Sequence, residues 1–552
     1  MALRRRAKGG APTEPSTVRK IRQGELVGLL AENGAHVWRG VPYAASTAGA
    51  NRWRAPQPAS GWEGRREAIR FAERCVQLTN DLDRDEGLKP GLVVGSEDCL
   101  ALDLYAPPNA DARALPVVVW IHGGGNVWGR SSAYDGSRLA VNEDVLVVAV
   151  QYRVGPLGWF AHEALRTSAR GEDDAGACFA ILDLIASLGW VRDNIEAFGC
   201  DPGNVTIAGE SSGGHNVVAL LASPRAKRLF HRAIVQSGAF ESVSLAEAEG
   251  EEGDLANPSS RITEQLGATT AEALREVPVA ELLAAFSYGG SGFLDVPRVI
   301  EDGVTLPTGP LRDAFSSIET FNPTPILMGT NRDEMKLFYV RDERLTKRSL
   351  GVFPVARDPA FYDLIADYVS RVWRIRAVDE PAALMGAAGH TDVYAYRFDW
   401  DGGGRLLTMD FAKALGAAHG FEMPFVFNRF QHLGRADKLL FRKETAELRE
   451  TLSRTMGAYW ASFARDGVPY GPGAPSWSAY GEEGGSVMRL DTEDDGGIQA
   501  LAGPDGIEAL GRDLSADQRL DADQRCMIVE EMDRWMFARP VRSVLQAATG
   551  CT

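Results

Sequence analysis

The sequence predicts an α/β fold in which a large, mostly parallel central sheet is flanked by helices. Short, continuous apolar runs rich in β-branched residues suit strands that are covered on both faces. Helical patterns lie between these runs, for example at residues 181–195 and 444–467, and such alternation is typical of parallel sheets. The predicted strands are "PVVVWIHGG", "DVLVVAVQYR", "VTIAG", "RAIVQSG" and "PILMG".

The chain of 552 residues is 45% hydrophobic and 24% charged, which is ordinary for a globular protein with a large core. We predict one domain over residues 21–545, preceded by a flexible basic tail at residues 1–20, because no composition shift or repeat divides the rest. The Gly- and acid-rich stretches that begin at Ala246 and Asp491 are predicted to be surface loops.

Composition excludes several function classes. The net charge of −16 argues against nucleic acid as a partner, since phosphates would be repelled. No apolar stretch reaches the length of a membrane span, and the basic N-terminus lacks the apolar run of a signal peptide. We therefore expect a cytoplasmic protein without a membrane partner; the sequence indicates no oligomeric state.

Cysteine and histidine spacing indicates neither a disulfide framework nor a metal site. The six cysteines are widely spaced and include no Cys-x-x-Cys pair, and the eight histidines include no His-x-x-x-His pair. We expect no metal and no cofactor.

The stretch "VTIAGESSGGHNV" carries the strongest chemical signal. In Gly-x-Ser-x-Gly the serine lies on a sharp turn between a strand and a helix, where its oxygen projects above the sheet. Gly209 and Gly213 fit this turn because side chains there would collide. Ser211 is therefore the candidate nucleophile; the alternative is a glycine-rich connecting turn.

A second glycine-rich loop follows an upstream strand in "WIHGGGNVWG". Consecutive glycines at Gly123, Gly124 and Gly125 leave backbone N–H groups unshielded. Loops of this type form oxyanion holes in hydrolases with a serine nucleophile. The alternative is an anion-binding or purely structural loop.

The chain resembles the type-B carboxylesterase/lipase family over about residues 37–540. The resemblance implies an α/β-hydrolase fold and a serine hydrolase that cleaves carboxylic esters through an acyl-enzyme, with relaxed specificity and no cofactor. The motifs that carry it are "VWRGVPYA", "RWRAPQP", "SEDCLALDLYAP", "WIHGGGNVWG", "VQYRVGPLGWF", "NIEAFGCDPGNVTIAGESSGG", "LFHRAIVQSG", "MGTNRDEM" and "GAAHGFEMPFVF".

The resemblance implies a catalytic triad of Ser211, Glu334 and His419, in the Ser…Glu…His order of α/β hydrolases. Three histidines follow the acid along the chain. His419 lies between small residues in "GAAHG", which allows its ring to reach a neighbouring turn. His432 is predicted to lie at the surface, and His390 is predicted to be structural.

The same resemblance implies further site residues. The backbone N–H groups of Gly124, Gly125 and Ser212 would form the oxyanion hole. Glu210 and Ser237 match family positions beside the triad, where each is either a supporting or a structural residue.

Three positions near the candidate site depart from the family pattern. Ser212 stands where alanine is usual, Asn126 where an aromatic residue is common, and Met335 where glycine is frequent. Cys75 and Cys99 match a pair that secreted relatives join as a disulfide. The alternative is a pair of free buried thiols.

The predicted partner is a small-molecule ester. The alternative function is a catalytically inert binding or adhesion protein, because the family also includes members with an incomplete site. The complete triad favours the enzyme.

Overall fold

A mixed sheet of 11 strands forms the centre of the molecule. Its order is β11-β10-β9-β8-β7-β6-β4-β5-β3-β2-β1. The strands are β1 Leu29–Leu30, β2 His36–Pro42, β3 Ala101–Ala106, β4 Leu115–Ile121, β5 Leu146–Val150, β6 Cys200–Glu210, β7 Arg232–Gln236, β8 Ile326–Asn331, β9 Val393–Phe398, β10 Val487–Leu490 and β11 Gln499–Ala500. The computed structural model describes residues 12–111, 113–288, 295–296, 299–351, 353–431, 437–481, 487–501, 503, 505–536 and 539–551.

The middle of the sheet, from β5 to β10, is parallel throughout. The predicted strands all lie in this part, so the prediction of a mostly parallel sheet is confirmed. The outer strands pair antiparallel at both edges. Because parallel strands end at the same edge, residues that follow β4, β6 and β8 lie close together above the sheet.

Helices cover both faces of the sheet. The longer ones are α1 Ser137–Glu143, α2 Phe179–Asn194, α3 Ser212–Ala222, α4 Ser259–Leu266, α5 Val279–Ala285, α6 Pro359–Arg374, α7 Glu380–Ala387, α8 Ala446–Asp466, α9 Ile507–Ala516, α10 Ala522–Met536 and α11 Arg539–Thr549. The shorter ones are Glu163–Thr167, Leu245–Glu249, Ala271–Glu276, Lys336–Tyr339, Phe411–Leu415, Met423–Val426 and Asp437–Leu440. Within the part of the chain that the structure describes, no helix is both long and apolar enough to cross a bilayer.

Short strands and ribbons surround the central sheet. Arg19–Ile21, Gly24–Val27 and Arg65–Glu67 form a separate three-stranded sheet. The two-stranded ribbons pair Gln77–Leu78 with Val93–Val94, Val243–Ser244 with Ile300–Glu301, Thr346–Ser349 with Phe353–Ala356, and Arg405–Leu406 with Met409–Asp410.

The N-terminal segment joins the fold earlier than predicted. Thr17 is buried, its carbonyl accepts a hydrogen bond from Nε1 of Trp38, and the strand Arg19–Ile21 pairs with Gly24–Val27. The predicted flexible tail therefore extends too far, because residues 17–20 belong to the folded domain. Residues 1–11 lie outside the described residues. The predicted loop from Ala246 is also partly wrong, because Leu245–Glu249 is helical and capped by Ser244.

Two disulfides cross-link the chain. One joins Cys75 to Cys99, the pair that the family resemblance implied, and the other joins Cys526 in α10 to Cys551. The second bridge was not predicted, because its cysteines match no family pair. Disulfides persist mainly in oxidising compartments, so both bridges stand against the cytoplasmic location, which stays a prediction.

We expect both bridges to be present in the purified protein. Alkylation of denatured, unreduced protein should then modify only the free cysteines, Cys178 and Cys200, as read by peptide mass mapping. Each bridge closes a loop of similar length, with a sequence separation of 24 or 25 residues, and we expect its removal to lower the free energy of unfolding by about 3 kcal/mol. A reduced sample, modified at all six cysteines, is the control; alkylation at the bridged positions without reductant would contradict the prediction.

Candidate active site

Ser211 lies at a sharp turn between β6 and α3, with φ 59° and ψ −127°. A positive φ is strained for serine and is typical of a nucleophile held at a strand-to-helix turn. The flanking glycines make the turn possible: a Cβ at Gly209 would lie 2.5 Å from the carbonyl carbon of Gly213, and a Cβ at Gly213 would overlap the carbonyl oxygen of Ile121. The turn therefore presents the Ser211 side chain at the carboxyl edge of the sheet.

The triple-glycine loop after β4 lies against this turn. A Cβ at Gly123 would lie 2.7 Å from the carbonyl oxygen of Glu210 and 3.1 Å from Cβ of Ser211. Gly124 and Gly125 both have positive φ, 114° and 62°. In the described part of the chain, the N–H groups of these two glycines and of Ser212 donate no hydrogen bond. Three donors are thus free beside Ser211.

Two of the departures from the family pattern contact each other. The Ser212 hydroxyl accepts a hydrogen bond of 2.9 Å from the backbone N–H of Asn126. The side-chain amides of Asn126 and Asn216 bond reciprocally at 3.2 and 2.9 Å. These bonds fasten the glycine loop to α3, so the substitutions support the loop that carries two of the free donors.

The loop that follows Leu415 brings His419 to Glu334, which follows β8. Nδ1 of His419 donates to Oε2 of Glu334 at 2.5 Å. The other carboxylate oxygen of Glu334 accepts from the Ser237 hydroxyl at 2.5 Å and from the backbone N–H of Asn331 at 2.7 Å. Glu334 is fully buried and held from three sides, so it fixes the orientation and tautomer of the imidazole.

The Nε2 side of the imidazole faces the turn that carries Ser211. Nε2 of His419 lies 3.2 Å from Oε1 of Glu210, the residue that precedes Ser211. Within the described residues, the Ser211 hydroxyl forms no hydrogen bond. Catalytic hydrogen bonds often tighten only when substrate binds.

Asp333, the neighbour of Glu334, has a different role. Its carboxylate accepts from the backbone N–H of Ala417 at 3.0 Å and pairs with Arg332 and Lys336. Burial disfavours the charged form, but these two cations outweigh it and lower the pKa of Asp333. Asp333 thus holds the histidine loop without touching the imidazole.

The sequence profile of the Carboxylesterase family matches residues 15–349 and 343–502, most of the chain. The chain belongs to the carboxylesterase family.

Relatives of this carboxylesterase, and solved structures that resemble it, agree with that assignment. The para-nitrobenzyl esterase of Bacillus subtilis is 33% identical over 499 residues, which cover 84% of this chain and 92% of that protein. The cocaine esterase of Homo sapiens is 31% identical over 522 residues, covering 86% and 88%. A solved PNB esterase superposes with a TM-score of 0.71 at 30% identity, covering 88% of this chain and 96% of that one. The chain therefore shares the α/β-hydrolase fold.

One buried residue of this carboxylesterase site was not singled out from the sequence. Glu422 is fully buried and accepts from Asn331 Nδ2 at 2.6 Å and from Gln236 Nε2 at 2.9 Å. Asn331 also donates its backbone N–H to Glu334. Its position three residues after His419 in "HGFE" was the available signal. Glu422 thus braces the segment that carries the histidine.

Three buried carboxylates raise the pKa of the imidazole, two of them in direct contact with its nitrogens. Burial opposes protonation of His419, but Glu210, Glu334 and Glu422 outweigh it and raise the pKa of the imidazole. Burial also raises the pKa of Glu210, while its contact with His419 acts in the opposite direction. Because the pKa of the imidazole is raised, Nε2 loses its proton and becomes able to accept another only at higher pH.

This pairing leads to a prediction for pH dependence. Glu210→Gln removes a negative charge beside Nε2, so the pKa of His419 should fall and the acidic limb of kcat/KM should move to lower pH. We expect a shift of roughly one pH unit, measured with a neutral ester between pH 5 and 10. Glu241→Gln, at a partly buried carboxylate that no bond joins to the imidazole, is the control. An unchanged or alkaline-shifted limb in Glu210→Gln would contradict the prediction.

Of the other two histidines weighed from the sequence, the structure places His390 away from the site. His390 precedes β9, at the amino end of a parallel strand and so at the edge opposite Ser211. Its ring packs edge-on against Phe321 at 5.6 Å, which agrees with a structural role. His432 lies outside the described residues.

Proposed function

We propose that this carboxylesterase hydrolyses carboxylic esters through an acyl-enzyme formed on Ser211. The observation that carries the proposal is the convergence of three elements on the strained turn of Ser211: the His419–Glu334 pair, Glu210 and the free N–H groups of the glycine loop. Esterase names among the relatives support the same reaction class. The complete set of residues disfavours the inert adhesion-type alternative.

In the proposed reaction, Nε2 of His419 accepts the proton of the Ser211 hydroxyl as its oxygen attacks the ester carbonyl. Glu334 orients the imidazole and stabilises its charged form without taking the proton. The N–H groups of Gly124, Gly125 and Ser212 hold the oxyanion, with each donor contributing roughly 3–4 kcal/mol to the transition state. His419 then protonates the leaving alcohol, and water hydrolyses the acyl-enzyme by the same route.

The proposal is tested by turnover and labelling in one preparation. The protein should hydrolyse p-nitrophenyl esters, and a fluorophosphonate probe should stop turnover in proportion to labelling. Peptide mass mapping should place the phosphonate on Ser211. Absence of turnover, or a label on another serine with turnover lost, would overturn the proposal.

Relaxed specificity for small or aromatic neutral esters belongs to the same proposal. The segment between Cys75 and Cys99 contains no tryptophan, and a tryptophan there would hold a quaternary ammonium by cation–π attraction. We therefore expect butyrylthiocholine to be hydrolysed no faster than a neutral butyryl thioester of similar size. A clear preference for the choline ester would show that other aromatic side chains form a cation site.

A further inference from the structure

A row of three aromatic side chains lies beside the candidate base. The rings of Trp373 and Phe338 lie 5.0 and 5.5 Å from the imidazole of His419, and the ring of Trp535 packs against Phe338 at 4.5 Å. All three side chains are only partly buried. We call Phe338, Trp373 and Trp535 the aromatic row.

The chemistry of His419 defines which part of the substrate lies next to this row. In the proposed reaction, the imidazole delivers its proton to the oxygen of the leaving alcohol. Groups packed against the imidazole therefore flank the alcohol part of the ester. The oxyanion donors lie on the separate glycine loop after β4. Phe338 and Trp373 thus border the leaving group, and Trp535 extends the row outward from Phe338.

Trp535 reaches the row from the C-terminal helices. It lies on α10, after residue 502, where the match to the family profile ends. Its indole Nε1 donates to Oε2 of Glu531 at 3.1 Å, one helical turn earlier. The Glu531 carboxylate is 2% exposed and pairs with Arg344 at 2.8 Å and with Arg534 at 3.2 Å. These bonds fix the orientation of the indole.

The same helix is anchored covalently. Cys526 of α10 is bonded to Cys551, which follows α11, and α10 packs on α6 through the apolar cluster that includes Ile528 and Met532. Trp535 is therefore presented to Phe338 by a rigid support, not by a loose terminus.

We propose that Trp535 is a specificity-determining residue that, with Phe338, forms an aromatic subsite for the leaving alcohol. The preferred substrates are then esters of aryl or arylmethyl alcohols. Offset or edge-to-face contacts with a substrate ring favour it over a saturated ring of similar size. This inference rests on the ester hydrolysis proposed above.

The order of the chemical steps gives a selective readout. The alcohol leaves when the acyl-enzyme forms, so a subsite for the alcohol acts on acylation and thus on kcat/KM. Hydrolysis of the acyl-enzyme does not involve the departed alcohol. Esters that share one acyl group therefore share the second step, whatever their alcohol.

The experiment compares benzyl, cyclohexylmethyl and ethyl butyrate in wild type, Trp535→Leu and Trp535→Phe. In wild type, kcat/KM should rank benzyl above cyclohexylmethyl and ethyl. Trp535→Leu should lower the benzyl-to-ethyl ratio of kcat/KM roughly tenfold, and Trp535→Phe should restore most of it. Met527→Ala, on the same helix and in the same apolar cluster but outside the row, should leave the ratio unchanged; thermal unfolding checks the fold of each variant.

Inhibition of wild type by the free alcohols provides a measurement that needs no variant. Benzyl alcohol should inhibit at several-fold lower concentration than cyclohexylmethanol. Equal inhibition, or a Trp535→Leu variant that folds and keeps the wild-type ratio, would overturn the inference. An equal fall for all three esters would likewise overturn it, because that pattern indicates a structural role. Absence of turnover and of phosphonate labelling in wild type would instead overturn the proposed function.

Discussion

Ser211→Ala is expected to lower kcat for p-nitrophenyl butyrate roughly 10⁶-fold, the loss typical of a serine hydrolase without its nucleophile. The variant retains the oxyanion donors and the His419–Glu334 pair, so a small residual rate above that of water is expected. Substrate binding should change little, because the missing oxygen forms the new bond only during the reaction.

The fold of this variant should be unaffected. Within the described residues, the Ser211 hydroxyl forms no hydrogen bond, so its removal leaves no buried partner unpaired. Ser187→Ala is a suitable control, because Ser187 is buried in α2 and donates only to the carbonyl of Leu184 at 2.7 Å. Full esterase activity in Ser211→Ala, with phosphonate labelling retained, would assign the nucleophile elsewhere.

Glu334→Gln should lower kcat by about 10⁴-fold, as the loss of the acid does in related triads. The amide oxygen can still accept from Ser237 and Asn331, which places the amide NH₂ against Nδ1 of His419. Two donors then face each other, so the imidazole is forced into the tautomer that carries its proton on Nε2. That tautomer cannot accept the proton of Ser211.

Asp333→Asn is the matched comparison, because it changes the adjacent carboxylate in the same way. Its amide oxygen can still accept from Ala417, while the charge pairing with Arg332 and Lys336 is lost. We expect the free energy of unfolding to fall by about 1–3 kcal/mol and kcat to fall less than about tenfold. Both variants are measured by kcat and thermal unfolding; an active Glu334→Gln beside a folded but inactive Asp333→Asn would reverse the assignment.

The parallel core and the sharp turn at Ser211 were predictable because their signals are local. Apolar runs mark β4 to β8. The glycines around Ser211 are needed because a Cβ at Gly209 or Gly213 would meet backbone atoms of the turn and of the end of β4. Placement of the strands then brings the ends of β4, β6 and β8 to one edge, which explains why widely separated motifs meet. The pairing of His419 with Glu334 came from family resemblance, since nothing in the local sequence joins residues 85 positions apart.

The parts that were not predicted depend on tertiary packing. Glu422 looks like an ordinary helical glutamate until Asn331 and Gln236 are folded against it. The bridge between Cys526 and Cys551 depends on how α11 packs beside α10. Trp535 has no sequence signal for a place near the site, because its contact with Phe338 crosses almost 200 residues of chain.

The glycines at the nucleophile turn restrict how this enzyme can be altered by laboratory evolution. A methyl group at Gly209 or Gly213 would meet backbone atoms, and one at Gly214 would lie 2.8 Å from the carbonyl oxygen of Gln236 and 3.1 Å from Cα of Gly238. A substitution elsewhere cannot remove a backbone atom, so the added methyl group requires the backbone itself to shift. Mutant libraries therefore gain little from diversity at these glycines. Side chains that pack against other side chains, such as Phe338 and Trp535, can be varied while the turn at Ser211 is retained.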